Sequence, residues 1–571
     1  MLNPSQQCVR GACITLLALA ACSGGSAATL TVSIEHTFAG EPLSFEKTHT
    51  LPDGRIVSVS RLDYLVTEFA ILKKDGTAMQ AHEQAAFISL GKARTTFVLP
   101  NVPGGDYAGV AFRIGVPVGW ERRDPTLWPA GHALNPAVCG LHWGWQSGYI
   151  YMALEGRYGE QGGYSFHLAR AENLMTVRLE KDWHCEGDTA LTLRLDVANA
   201  LGDAGLQSAD GSNTTHSAEG DARAAKMKRN IEHAWSLRSA QPAVTGAMEK
   251  PAPRKLASGA TAYDFRVPNG FPAPELPADN PISVEGVALG ERLFSDKRLS
   301  VNGTQSCASC HLPERAFTEP LAVSIGAEGH ATPRNAPGLL NLAWHGEYAR
   351  DGRRSTLRAQ VLAPLGDPLE MHLPLERAIA AITDLTPEFA ATFGGAKDAA
   401  ITAERIGLAL EQYLLTRTAA ASKFDHVLRG QTKLNAYEQR GFELFHSEFD
   451  PGHGTRGADC FHCHAGYDFS DHAYHDIGLG GTDAGRHAAT GRETDRGKFK
   501  TPSLRNAART GPYMHDGRFA TLEEVVAHYN HAAQRTANLD ANLAKHPAEG
   551  MQLSAADQQA LVAFLRALSD E

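Results

Sequence analysis

Two short runs in the second half of the chain carry the residues best suited to redox chemistry: Cys307-Ala308-Ser309-Cys310-His311 and Cys460-Phe461-His462-Cys463-His464. Thiols two residues apart sit about one helical turn from each other, the spacing that lets both form thioethers with the vinyl groups of one haem. The adjoining histidine is then placed as an axial ligand to iron. A four-cysteine zinc site assembled from the two Cys-x-x-Cys pairs is the competing reading. The histidine directly after each pair, and an export signal at the N-terminus, favour two covalently attached haem c groups.

The elements that must position these motifs are largely helical. Ile406, Leu410, Tyr413 and Leu414 fall at helical spacing, and an amphipathic run through Leu561, Phe564, Leu565 and Leu568 closes the chain. The region also reads as duplicated. Each half has one Cys-x-x-Cys-His, then an Arg-Asn-Ala triplet (Arg334-Asn335-Ala336 and Arg505-Asn506-Ala507), then DGRxxTL, from Asp351 to Leu357 and from Asp516 to Leu522. Thirteen residues on from Asp516 stands Tyr529, and thirteen on from Asp351 stands Pro364. Proline has no side-chain donor, so if the repeat relates the two haems only Tyr529 of this pair can ligate, which would give the second iron His464 and Tyr529 and the first His311 and an open face for peroxide. His528 and Met514 compete with Tyr529. Neighbouring helical residues point about 100° apart, so His528 and Tyr529 cannot both face the iron.

The chain has 571 residues, room for several domains. Its 64 Asp and Glu exceed its 54 Lys and Arg, and no basic run stands out, which argues against a nucleic-acid partner and suits a basic redox partner weakly. Residues 1–22 read as a signal peptide ending in Leu19-Ala20-Ala21-Cys22, a lipobox-like sequence that implies acylation of Cys22; an ordinary signal peptide is the alternative. The expected location is the periplasmic face, as an outer-membrane lipoprotein anchored to the membrane surface, or free in the periplasm if the lipobox is not used. Short alternating runs over 28–203 read as an all-β sandwich, 204–260 as a linker, and 261–571 as a mainly α haem-bearing domain with modules at about 280–380 and 430–571. Of nine cysteines, Cys8 and Cys13 leave with the signal, Cys22 takes lipid and four take haem. Cys139 and Cys185 remain, a disulfide pairing that arithmetic suggests and only geometry decides.

From Pro272 to Ser569, the segments LGERLFSDKRLS, CASCH, TPRNAPGLLNLAW, DGRRSTLRAQ, CFHCH and FKTPSLRNAARTGPYMHDGRFATLEEVVAHY resemble bacterial diheme cytochrome c peroxidases, and among them the MauG and MbnH branch, whose members oxidise side chains of a protein substrate. The resemblance implies a double cytochrome c fold and a distal pocket of Gln360, Pro364 and Glu370, with Glu370 moving a proton between the peroxide oxygens. It puts Tyr529 where conventional peroxidases use Met, and Ala327 where they hold a blocking His, with His330 nearby. It assigns Asn335, Thr510 and Pro512 to a calcium ion between the haems. His515 matches a residue beside a haem propionate, with a capping role as the alternative. Arg350 stands where the family has the inter-haem Trp, leaving Trp344, Tyr348 or direct transfer to relay charge.

SIEHTFAGEPL, HALNPAVCGLHWGWQSGYIYMALEG and YSFHLA resemble MbnP, a β-rich copper protein. In that family an MbnH-type enzyme converts a tryptophan to kynurenine. The resemblance makes Trp143 and Trp145 candidate modified residues, with core packing as the bland alternative, and His36 and His167 candidate copper ligands ahead of His132, His142 and His184. Three functions compete: a peroxide-dependent oxidase acting on its own or a partner's copper-binding domain, a cytochrome c peroxidase fed by a small c-type cytochrome or cupredoxin, and a copper-binding or copper-delivery lipoprotein.

Overall fold

In the strand Ala28–Phe38, Leu30, Val32 and Ile34 are buried while the residues between them are partly exposed, the period of a strand with one face on a core. It pairs in parallel with Thr189–Asp196 and antiparallel with Thr96–Val102, and Trp235–Pro242 adds to Thr189–Asp196. A second sheet runs in the order Met175–Cys185, Gly105–Ile114, Ile56–Lys73, Ile150–Tyr158, Gly162–Ala169, Thr214–Thr215, with shorter strands also on Ile56–Lys73. One continuous apolar core lies between the sheets, and the Tyr64 and Trp235 rings meet across it at 5.9 Å. This is the expected β-sandwich.

The computed structural model describes residues 28–570, apart from 81–83, 144–147, 160–161, 205, 207–212, 244–251, 395–400, 451–453 and 532. The signal segment, Cys22 and Trp145 lie outside the described residues. Among those described, no helix is long and apolar enough to cross a membrane.

Two expectations for the N-terminal half are corrected. The stretch 204–260 is not a plain linker: the helix Ala222–His233 buries Ala224, Met227 and Ile231 against the sandwich, and Trp235–Pro242 is a strand of its sheet. Its Ser-, Ala- and Lys-rich composition hides an i, i+3, i+7 stripe. Cys139 and Cys185 are free, buried thiols. The Leu141 N–H donates to Cys139 Sγ at 3.4 Å and the Thr189 hydroxyl to Cys185 Sγ at 3.4 Å, so each thiol packs in its own surroundings.

The C-terminal half has two apolar clusters, one over Phe271 to Leu415 and one over Phe424 to Leu568. Each is built on a close helix pair. Val284–Phe294 meets Ala403–Leu415 at Gly290, where a Cβ would lie 2.1 Å from the Ala409 carbonyl oxygen. Ala436–Phe445 meets Ala555–Arg566 at Gly441, where it would lie 2.0 Å from that of Ala560. Glycine permits both backbone approaches.

The duplication is structural, but its register differs from the Arg-Asn-Ala match. Asn341 and Asn506, at φ 60 and 61, start equivalent turns. Ala349 and Met514 share positive φ, and the bridges Tyr348 to Arg354 and Tyr513 to Phe519 correspond. The repeated pattern is therefore N-x4-G-x-Y-x2-D-G-R, with Arg350 and His515 as counterparts. Asn335 has no counterpart in Asn506.

The two halves dock through the outer face of the larger sheet. Helix Ala541–Ala544 packs on Gly162–Ala169, and Asn542 Nδ2 donates to Glu155 Oε2 at 3.2 Å. Arg157 donates to the Ala537 carbonyl at 2.6 Å.

Candidate haem and substrate sites

Helix Cys307–Cys310 and the turn Cys460–His462 present the two thiol pairs, and all four thiols are free. His311 Nδ1–H donates to the Phe317 carbonyl at 2.9 Å, and His464 Nδ1–H to that of Phe469 at 2.9 Å. A carbonyl only accepts, so each Nδ1 carries the proton and each Nε2 keeps its lone pair. Phe317 and Phe469 both reach this position through positive φ. Burial keeps both imidazoles neutral. Free thiol pairs beside a histidine of fixed tautomer fit covalently bound haem, and not a zinc site shared by all four cysteines, since the pairs belong to different clusters.

Thr356 and Thr521, the threonines of DGRxxTL, cap the helices Leu357–Gly366 and Leu522–Asn530. Equal spacing from these caps puts Pro364 and Tyr529 at matching places. Tyr529 is half-buried near Cys460 and Cys463, and desolvation pushes its hydroxyl above the ordinary tyrosine range. His528 turns away: its Nε2–H donates to the Ile477 carbonyl at 2.9 Å.

On the other module Gln360 and Pro364 lie one turn apart on the same helix face. Glu370 follows on a loop, close enough to Cys307 and Cys310 for its charge to act on both. Burial, aided by Asp367 and opposed by Arg353, pushes its carboxyl up to about 7. Its carbonyl accepts the Ala327 N–H at 2.7 Å, tying the loop at the blocking-His position to the pocket. His330 is exposed on that loop.

Of the expected calcium ligands, Asn335 is met by a resident cation instead. Arg350 NH2 donates to Asn335 Oδ1 at 2.6 Å and its Nε to the Asn335 carbonyl at 2.9 Å. Thr510 donates its hydroxyl to the Ala507 carbonyl. A guanidinium on the Asn335 oxygens repels a second cation, so these two atoms do not fit calcium. His515 stacks on Phe499 with ring centroids 3.8 Å apart, and its Nδ1 is buried without a hydrogen-bond partner.

Between the halves lies a cavity of about 870 Å³. Trp143, 6% exposed, lines it from the β-domain; Phe461, His462 and Tyr467 line it from the second haem motif and the loop after it, and Trp344 from the first module. Phe271 joins Trp344 and Tyr467, its ring centroid 4.9 and 5.1 Å from theirs. Tyr467 carries no motif signal and is not among the residues the sequence singles out. Trp143 lies outside any strand, directly after a single bridge from His142 to Tyr149.

His36 and His167 do not meet. His36 Nε2 lies 2.8 Å from the Tyr64 hydroxyl inside the sandwich. In the sheet register Tyr64 faces with Met152 and Leu168, whereas His167 faces with Ala153 and Asp63 on the opposite side. One ion cannot take both. His132 stacks on Trp128, His142 meets Tyr149 edge-on, and His184 is exposed on Asp106.

The family model of di-haem cytochrome c peroxidase covers residues 284–433, and that of MbnP covers 27–217. Methylamine utilization protein MauG of Methylorubrum extorquens is 35% identical over 314 residues, 54% of this chain and 84% of that protein. The chain belongs to the di-haem cytochrome c peroxidase and MauG family. As a member of that family, with an MbnP domain at its N-terminal end, it is a di-haem peroxidase-type enzyme. Cytochrome c551 peroxidase of Nitrosomonas europaea is 35% identical over 265 residues, 45% of this chain and 75% of that one. The crystal structure of a MauG-like protein associated with microbial copper homeostasis is 37% identical, covering 54% of this chain and 96% of that one at a TM-score of 0.49.

Proposed function

We propose that this MauG-family chain uses hydrogen peroxide to oxidise Trp143 of its own MbnP domain, towards kynurenine. The observation that carries the reading is the shared cavity: Trp143 lines the same cavity as Phe461, His462 and Tyr467, within one chain. Docking fixes the substrate at high effective concentration. The two haems supply, when bound, the capacity to hold the oxidising equivalents of peroxide.

The chain's own residues divide the rest of the task. Glu370, with a carboxyl near neutrality, takes a proton from one peroxide oxygen and returns it to the other. Gln360 and Pro364 frame a face with no protein ligand to displace. His311, His464 and Tyr529 would hold the haem irons in this reading. Trp344, Phe271 and Tyr467 form an aromatic path from the first module to the Trp143 cavity. Export and lipidation at Cys22 would hold the enzyme at the periplasmic face.

The test is peptide mass spectrometry of the haem-loaded chain after peroxide. Oxygen gained on the Trp143 peptide, abolished by Glu370→Gln and slowed by Tyr467→Phe, is the expected result. Rapid oxidation of a reduced small cytochrome with Trp143 untouched would replace it with the cytochrome c peroxidase reading.

A further inference from the structure

At the seam between the domains three imidazoles converge that no haem role uses. His167 stands on Gly162–Ala169, His216 follows Thr214–Thr215, and His462 is the second variable residue of Cys-Phe-His-Cys-His. Their ring centroids are 4.8 Å (His167 to His216), 4.9 Å (His216 to His462) and 5.4 Å (His167 to His462) apart.

Each ring has one nitrogen on a carboxylate. His167 Nε2 lies 2.8 Å from Glu155 Oε1, and His216 Nδ1 and His462 Nε2 each lie 3.1 Å from Glu448 Oε2. The other nitrogens, His167 Nδ1, His216 Nε2 and His462 Nδ1, are buried without a hydrogen-bond partner. If the carboxylate-facing nitrogens carry the protons, three lone pairs remain with no donor, each costing about 1–3 kcal/mol unless something accepts them. Histidine ligands oriented by carboxylates are the usual outer shell of a metal site.

We propose that His167, His216 and His462 bind one divalent transition-metal ion, copper(II) by preference, and so pin the β-domain to the second haem motif. One ligand atom from each lies within 4.8 Å of the other two, so a central point is at most about 2.8 Å from each; closing to a metal–nitrogen distance of about 2.0–2.1 Å needs a shift of under about 1 Å per ring. Three imidazoles suit copper, which also binds most tightly among first-row divalent ions. Glu155 and Glu448 balance the charge of the ion, and Arg61 and Lys545 fix those carboxylates. His216 keeps 19% of its side chain exposed, an access path. The site links two β-domain histidines to one from the second haem motif, a grouping that neither sequence segment announces.

The site does not depend on Trp143 oxidation, because metal is added to protein never exposed to peroxide. The haem-loaded full chain is stripped with a chelator and titrated with copper(II), with stoichiometry and electron paramagnetic resonance as readouts. One tight equivalent with couplings to three nitrogens is expected. His216→Ala and His462→Gln, with unchanged haem absorbance, should each lose the three-nitrogen signal, and Glu448→Gln should weaken binding about 10–100-fold. His36→Gln should bind as wild type does. Wild-type protein without a three-nitrogen copper signal, a result that needs no variant, overturns the proposal; so does unchanged affinity in His216→Ala.

Discussion

The Arg350 guanidinium sits on Asn335, with NH2 2.6 Å from Oδ1 and Nε 2.9 Å from the carbonyl oxygen. Burial, with Arg334 adding to it, lowers its pKa to about 10, which leaves it a cation at neutral pH. A fixed positive charge thus stands between the modules. Chelation with EGTA should leave haem absorbance and peroxide reactivity unchanged, and Arg350→Leu should make both respond to added calcium. Loss of the wild-type spectrum on chelation would show that a calcium ion binds beside Arg350 after all.

Glu370 sets a pH dependence. Its carboxyl is raised to about 7, so the carboxylate that accepts a proton from peroxide is depleted below that pH and complete above it. The rate of reaction with peroxide should rise as pH increases through about 7. Glu370→Gln should flatten that step and slow the reaction about 10²–10⁴-fold. A wild-type step that persists in the variant would assign it to another group.

Tyr529 and Pro364 occupy matching places after equivalent caps, yet only tyrosine offers a ligand atom. Tyr529→Phe should change the absorbance and magnetic spectra of the second haem and leave those of the first intact. Identical spectra would return the ligand to another side chain.

Gly163 lies against the helix that docks the halves: a Cβ there would be 2.1 Å from the Ala541 carbonyl oxygen and 2.9 Å from the Lys545 nitrogen. Gly163→Ala should weaken docking by about 1–3 kcal/mol, with faster hydrogen exchange over residues 541–546 and little change within either domain. Unaltered exchange at 541–546 would mean that the seam relaxes without cost.

The haem motifs, the division into a β half and a helical half, and the Pro364 and Tyr529 register are all legible in the sequence, because each rests on local spacing or strand alternation. Thr356 and Thr521 keep that register true even though the Arg-Asn-Ala match is misaligned. The linker reading fails because composition outweighs the short stripe at Ala224, Met227 and Ile231. Asn335 reads as a calcium ligand from the family resemblance, and the sequence cannot show that a residue fifteen positions on folds back to donate to it.

By itself the sequence determined the chemistry each half can carry: two thiol pairs with their histidines, a carboxylate and a tyrosine at set intervals, and strands able to close a sandwich. Only the tertiary structure decided what stands next to what. Opposite faces of one sheet separate His36 from His167, strand pairing sets His216 beside His167, and docking brings His462 to both and puts Trp143 in a cavity with Tyr467. The physical reason is that spacing along a strand or helix fixes which face a residue is on, whereas the partner of that face is chosen by packing between segments hundreds of residues apart.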